Sequence, residues 1–218
     1  MKILVFSDTH LSRRFENKKF EFLKKLILDA DRVIINGDFW DGYTIGFDQF
    51  MKSKWNRLFP YLKSKKTVYI NGNHDRRTFT DKRVYRFCDK YLSQHQTTIN
   101  GFKFVFEHGH RLASARDENI QSRWLLMGAT HFTGFIENIS IRLFGKNILG
   151  PIGKAHNSNI KRKALAEFNS VYFVCGHTHV KEYDKTNRFI NHGIIRHGLG
   201  QYLTINDGKI LINEEWYE

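Results

Sequence analysis

The sequence predicts an α/β fold, and three observations carry that prediction. Short runs of β-branched and aromatic residues alternate with apolar stripes at three-and-four spacing, the periods of buried strands and amphipathic helices. Five of those runs end in clusters of Asp, His, Asn and Gly. After residue 174 the pattern changes to strands without helices between them.

Taken in order, residues 2–6 read as the first buried strand, and Phe20, Leu23, Ile27 and Ala30 make the stripe of a following helix. Residues 32–35 form the second strand. Phe47, Phe50, Met51, Trp55, Leu58, Phe59 and Leu62 then make a longer helical stripe before the third strand at 67–70. Strands at 102–106 and 171–174 bracket a different region, residues 111–168, which reads as a helical cap inserted in a single domain of residues 1–218. Within it Phe132, Phe135, Ile136, Ile139 and Leu143 share one helical face, with Trp124, Leu125, Leu126 and Met127 before and Ile148 and Leu149 after. Packing against the core is favoured over contact with lipid for that face. Asn206-Asp207-Gly208 predicts a hairpin, because Asp-Gly suits a tight turn with positive φ.

At 218 residues and 41% hydrophobic content the chain can bury one ordinary core. Lys and Arg number 35 against 22 Asp and Glu, a formal charge of +13 that attracts anions: nucleic acid, acidic lipid or phosphorylated metabolites. Two cysteines, Cys88 and Cys175, are too few for a disulfide framework and lack zinc-site spacing, which fits a reducing compartment. No apolar run approaches a membrane span and no signal-peptide pattern opens the chain, so the expectation is a cytoplasmic protein, soluble or peripheral to the inner face of a membrane.

The chemistry is concentrated at the strand ends. Asp8 and His10 stand two apart, where an extended chain points side chains to one face and both can reach a single ion, the alternative being a turn or helix cap at Ser7-Asp8-Thr9. Asp38 follows Gly37 and can offer one oxygen to each of two cations, while Asp41 either orients a neighbouring ligand or caps a turn. In Gly72-Asn73-His74-Asp75, Asn73 can give a neutral carbonyl oxygen to metal. His74 would meet the substrate as general acid, with Asp75 holding its ring. His108-Gly109-His110 and Gly176-His177-Thr178-His179 close the set, the latter repeating the two-apart spacing. His95, His131, His156, His192 and His197 read as structural.

This ordered combination resembles the calcineurin-like metallophosphoesterases, over almost the whole chain, and Asn191-His192-Gly193 resembles the Asn-x-Gly that follows in many members. The resemblance implies a four-layer sandwich of two β-sheets flanked by helices. It also implies two divalent metal ions, manganese foremost with iron or zinc acceptable, one held by Asp8, His10, Asp38 and His179 and the other by Asp38, Asn73, His108 and His177. Two such cations lower the pKa of a shared water from ~15.7 toward neutrality and neutralise phosphate oxygens. The implied activity is hydrolysis of a phosphodiester or pyrophosphate bond by metal-activated hydroxide.

For the substrate, the cap and the run Lys161-Arg162-Lys163 resemble the UDP-2,3-diacylglucosamine hydrolase branch. Greasy residues of 111–168 would hold acyl chains or touch membrane lipid while basic ones hold phosphate. The chain departs from that branch in carrying His110 where members often have Asp, and His74 where some have Arg. A nuclease gripping phosphates through Arg13, Arg14, Lys18, Lys19, Arg76, Arg77, Lys82 and Arg83 is the second enzymatic reading. A non-catalytic anion-binding module is the third, disfavoured because no ligand of the set is missing.

Overall fold

The first strand, β1 (Lys2–Phe6), is buried on both faces, and its alternation shows why the chain makes layers. Ile3 and Val5 join Phe104, Phe106, Val174 and Ile190 in a core between two sheets, whereas Leu4 and Phe6 point into a second core beneath helices. These positions come from a computed structural model, which describes residues 1–113, 123–144 and 150–217.

In the first sheet β1 runs parallel to β2 (Arg32–Asn36), which continues through β3 (Val68–Ile70) to β4 (Lys90–Leu92). On its other side β1 pairs antiparallel with β11 (Leu199–Asn206), which carries β10 (Ile195–Arg196) and β12 (Lys209–Trp216). The second sheet has the order β5 (Gln94–Ile99), β6 (Phe102–Glu107), β7 (Tyr172–Cys175), β9 (Phe189–Asn191) and β8 (Glu182–Asp184). Helix α1 (Asn17–Leu28) and two short helices, α2 (Phe47–Lys52) and α3 (Phe59–Ser64), cover the first sheet through Phe20, Leu23, Phe50 and Leu62. Helix α5 (Gly150–Glu167) covers the second through Ile160 and Ala164, completing the expected four layers.

The five expected strands form within a residue of their predicted ends, and the hairpin turns at Asp207 (φ 47°) and Gly208 (φ 83°) as Asp-Gly requires. The long stripe of 47–62 is not one helix. Ser53 takes an extended conformation (φ −72°, ψ 167°) and its hydroxyl accepts from Trp55 N, starting a one-turn helix before Pro60 opens α3. The apolar spacing survives because all three pieces lie on one core.

The inserted region divides. While α5 is seated on the second sheet, α4 (Arg123–Phe144) buries Ile141 against Ile194 and Leu199 but leaves Phe132, Phe135, Ile136 and Ile139 40–65% exposed. That exposed face reverses the expectation of core packing for those four residues. The side chains of Trp124, Leu125, Leu126, Met127, His131 and Leu143, and residues 148 and 149 altogether, lie outside the described residues. Among the described residues no helix is long and apolar enough to cross a membrane.

Candidate metal centre

All seven expected ligands converge at the carboxyl ends of β1, β2, β3, β6 and β7, where the two sheets meet. Asp38 Oδ2 lies 3.3 Å from His108 Nε2 and 3.7 Å from His10 Nε2, so one carboxylate oxygen faces two groups of donors. One group is Asp8 Oδ1, His10 Nε2 and His179 Nε2, with His179 Nε2 3.2 Å from Asp8 Oδ1 and 3.4 Å from His10 Nε2. The other is His108 Nε2 and His177 Nδ1, which stand 3.2 and 3.0 Å from Asn73 Oδ1.

The backbone is bent to achieve this. Asp8, His10, Asp38, His177 and His179 all have positive φ, between 43° and 69°. Such residues cost on the order of 1 kcal/mol or more each and persist only where the surroundings over-determine them. The preceding glycines make room. A Cβ on Gly176 would overlap Ser7 Oγ and Asp8 Oδ2, and one on Gly37, itself at φ +93°, would overlap the His108 ring. Asn191 then ties the loop down, donating to Gly176 O and Thr178 Oγ1, both at 2.8 Å, so the Asn-x-Gly segment serves the ligand loop rather than supplying a ligand.

The donor set fits divalent cations. Asp8 and Asp38 are buried, and Asp8 Oδ1 points into the cluster with no aligned hydrogen-bond partner among the described residues. Burial holds His177 down at about 3 and His10 well below the ordinary imidazole value, leaving neutral rings whose lone pairs suit a metal. Burial opposes protonation of His108 too, but Asp38 and Asp8 carry it up to about 9. Mixed N/O ligation is acceptable to manganese, iron and zinc alike.

His74 stands beside this cluster without joining either group of expected ligands. Its ring meets His10 edge-on at 4.4 Å between centroids and Tyr43 at 4.3 Å, and its Nδ1 donates to Asp41 Oδ1 at 3.0 Å. Burial works against protonation of His74, and Asp38 and Asp41 outweigh it, raising the pKa above the ordinary value. The holder of the ring is therefore Asp41, and the expectation for Asp75 is corrected. Asp75 turns away to accept from Phe39 N at 2.7 Å, Tyr69 Oη at 2.6 Å, Asp38 N and Gly72 N. Adjacent residues cannot easily share a face in this extended turn, so Asp75 braces the Asp38 loop while Asp41, on the next loop, reaches the imidazole.

The sequence reading missed Glu137. It is buried on α4, receives His179 Nδ1, and also accepts from Arg196 Nη1 at 2.9 Å and His197 Nε2 at 3.2 Å. His197, read as structural, thus belongs to the surroundings of the centre. A glutamate within a helical stripe gives no signal by itself; only the fold brings it to a strand end.

Two cavities flank α4 and reach the centre. One, of about 770 Å³, touches His10 and Asp41 and is walled by Arg13, Arg14, Lys19 and Arg196 with Phe135. The other, of about 300 Å³, is formed by Phe132, Thr133, Ile136, Glu137, His179 and Arg196. The run at 161–163 is spent elsewhere: Lys161 pairs with Glu182 and Asp184 at 2.6 and 2.8 Å, and Lys163 donates to Leu112 O. The expectation that these lysines face phosphate is replaced by the Arg13 and Arg14 wall.

The family described as calcineurin-like phosphoesterase matches residues 1–181. Among solved structures, an archaeal phosphodiesterase is 16% identical with a TM-score of 0.53, the alignment covering 99% of each chain. The E. coli phosphoesterase YfcE (15% identity, TM-score 0.49) and a zinc complex of Vps29 from Entamoeba histolytica (15%, 0.47) each align over 100% of both chains. No curated protein matches.

Proposed function

The chain belongs to the calcineurin-like phosphoesterases, hydrolases of phosphoric esters, and from that premise we propose that it cleaves a phosphodiester or pyrophosphate bond at a dinuclear centre. The observation that carries this reading is Asp38 Oδ2, placed between His10 and His108 as a bridging ligand requires. Asp8, His10, Asp38 and His179 would hold one ion, and Asp38, Asn73, His108 and His177 the other. Bound, the ions supply a water of lowered pKa and positive charge for the phosphate oxygens.

The protein's own residues do the rest. His74, whose Nδ1 donates to Asp41 and whose pKa is raised against burial, would give its proton to the leaving oxygen. Arg13 and Arg14 line the larger cavity and favour an anionic group on one side of the scissile phosphate, while Arg196 there is paired with Glu137. Phe132 and Ile136 make the smaller cavity apolar. This pairing supports an amphiphilic substrate of the UDP-2,3-diacylglucosamine type, and α4's exposed face supports peripheral contact with lipid at the cytoplasmic side of a membrane. Within the domain of residues 1–218, the cap of 111–168 would be the part that selects the substrate.

The nuclease reading has less support. Arg76 donates to Asn73 O and Tyr43 Oη, Arg77 to Tyr91 O, and Arg83 to Asp81 and Asp48, so these cations are engaged within the protein. Lys19 is buried, with its ammonium on Thr9 O at 2.8 Å.

A substrate panel with added Mn²⁺ tests both levels. Metal-dependent turnover of an aryl phosphodiester is the expected result, and no turnover of any ester with any divalent ion would remove the proposal. Preference for UDP-diacylglucosamine over cyclic nucleotides and single-stranded DNA supports the amphiphilic substrate; strand cleavage instead would favour the nuclease.

A further inference from the structure

Among the described residues, helix α4 touches the expected ligands through the side chain of Glu137. Glu137 Oε1 accepts from His179 Nδ1, and the opposite nitrogen of that ring, Nε2, faces Asp8 Oδ1 at 3.2 Å and His10 Nε2 at 3.4 Å. A carboxylate on one imidazole nitrogen fixes the tautomer, leaving the other nitrogen's lone pair free for a cation. The second Glu137 oxygen is held by Arg196 and His197, so the carboxylate cannot swing away without breaking two more contacts. Apart from this cluster, among the described side chains α4 is seated by Ile141 on Ile194 and Leu199, while Phe132, Phe135, Ile136 and Ile139 stand largely exposed.

We propose that Glu137 is a positioning residue for the cation site of Asp8, His10 and His179, and that through it the affinity of this site depends on the seating of α4. The inference rests on the reading of the cluster as a metal centre. Its physical content is asymmetric: His108 is oriented by a strand, its Nδ1 donating to Asn36 O at 3.0 Å, and needs nothing from α4. Linkage then runs both ways, since whatever the seated helix gives the ion, the ion returns to the helix.

The test is Mn²⁺ binding to the full chain by calorimetry, with electron paramagnetic resonance to report whether two ions are spin-coupled. In Glu137→Gln one of two sites should weaken by about 10–100-fold, the usual effect of removing such a partner. The other site should be unchanged. At one equivalent per chain, the variant should show the six-line signal of an isolated ion. Two sites of unaltered affinity in a folded Glu137→Gln protein overturn the proposal, as does an equal loss at both. If Glu137 variants do not fold, Ile141→Ala loosens α4 without touching a ligand: selective loss at one site supports the inference, and wild-type binding overturns it. Absence of divalent binding by the wild-type chain would instead defeat the metal-centre reading itself.

Discussion

The two halves of the centre are supported differently. Asn73, His108 and His177 are held by the sandwich alone, through strand ends, the Asn36 carbonyl and the loop that Asn191 ties down. The half built from Asp8, His10 and His179 has the same strand-end origin but adds Glu137, from a helix whose described side chains make one buried apolar cluster. Rigid elements give one half its geometry outright. The other half depends on a segment whose stability is local, which is how a site becomes responsive to what touches that segment.

His74 gives the largest effect and the sharpest boundary for this comparison. Its imidazole, with His10 and Asp41, also forms a compact group able to hold an ion. If it is instead the acid, His74→Ala should lower kcat by about 10²–10⁴ while both equivalents of metal stay bound. Loss of one equivalent, read by elemental analysis, would make His74 a ligand and move it into the first half.

Metal removal comes next. If Glu137 is worth about 10–100-fold in affinity, reciprocity makes the ion worth about 1.4–2.7 kcal/mol to the seating of α4. Chelation should therefore speed amide hydrogen exchange around Glu137 and Ile141 while β6 and β7 remain protected. Equal deprotection of helix and strands would erase the distinction between the halves.

A smaller effect concerns pH. Against the effect of burial, Asp38 and Asp41 raise the pKa of His74 above that of an ordinary histidine, and Asp41 is the one of the two that stands outside the expected ligand set. Because the protonated form is the active one, His74 gives the profile its alkaline limb, along which activity falls as pH rises through the raised pKa. In Asp41→Asn this alkaline limb should move to lower pH. An unmoved limb in the pH–rate profile would detach Asp41 from the acid.

The smallest expected change in stability is at Phe135, 62% exposed on α4. Phe135→Ala should alter unfolding free energy by no more than about 0.5 kcal/mol. It should raise KM for an amphiphilic ester and leave an aryl diester unaffected. Ile160→Ala on α5, which is fully buried, should cost about 2–5 kcal/mol instead. Similar stability costs at both positions would show that α4 is core after all.

The edge strands β4 and β5 show where reading along the chain stops. β5, with the sequence Gln94-His95-Gln96-Thr97-Thr98-Ile99, is half solvated and carries no apolar run, so periodicity has nothing to register. The central strands, buried on both faces, announce themselves.

The sequence by itself determined the α/β class and the strand ends that bear polar clusters, because strand period and glycine-flanked polar clusters are local properties, and its resemblance to a family singled out the seven side chains that converge. Only the tertiary structure decided that Asp41 and not Asp75 holds His74, that Lys161 and Lys163 are engaged within the fold, and that Glu137 and His197 stand behind His179. Those are contacts between segments 33 to 60 positions apart or between helix and strand, and no local pattern encodes which distant donor a carboxylate will meet.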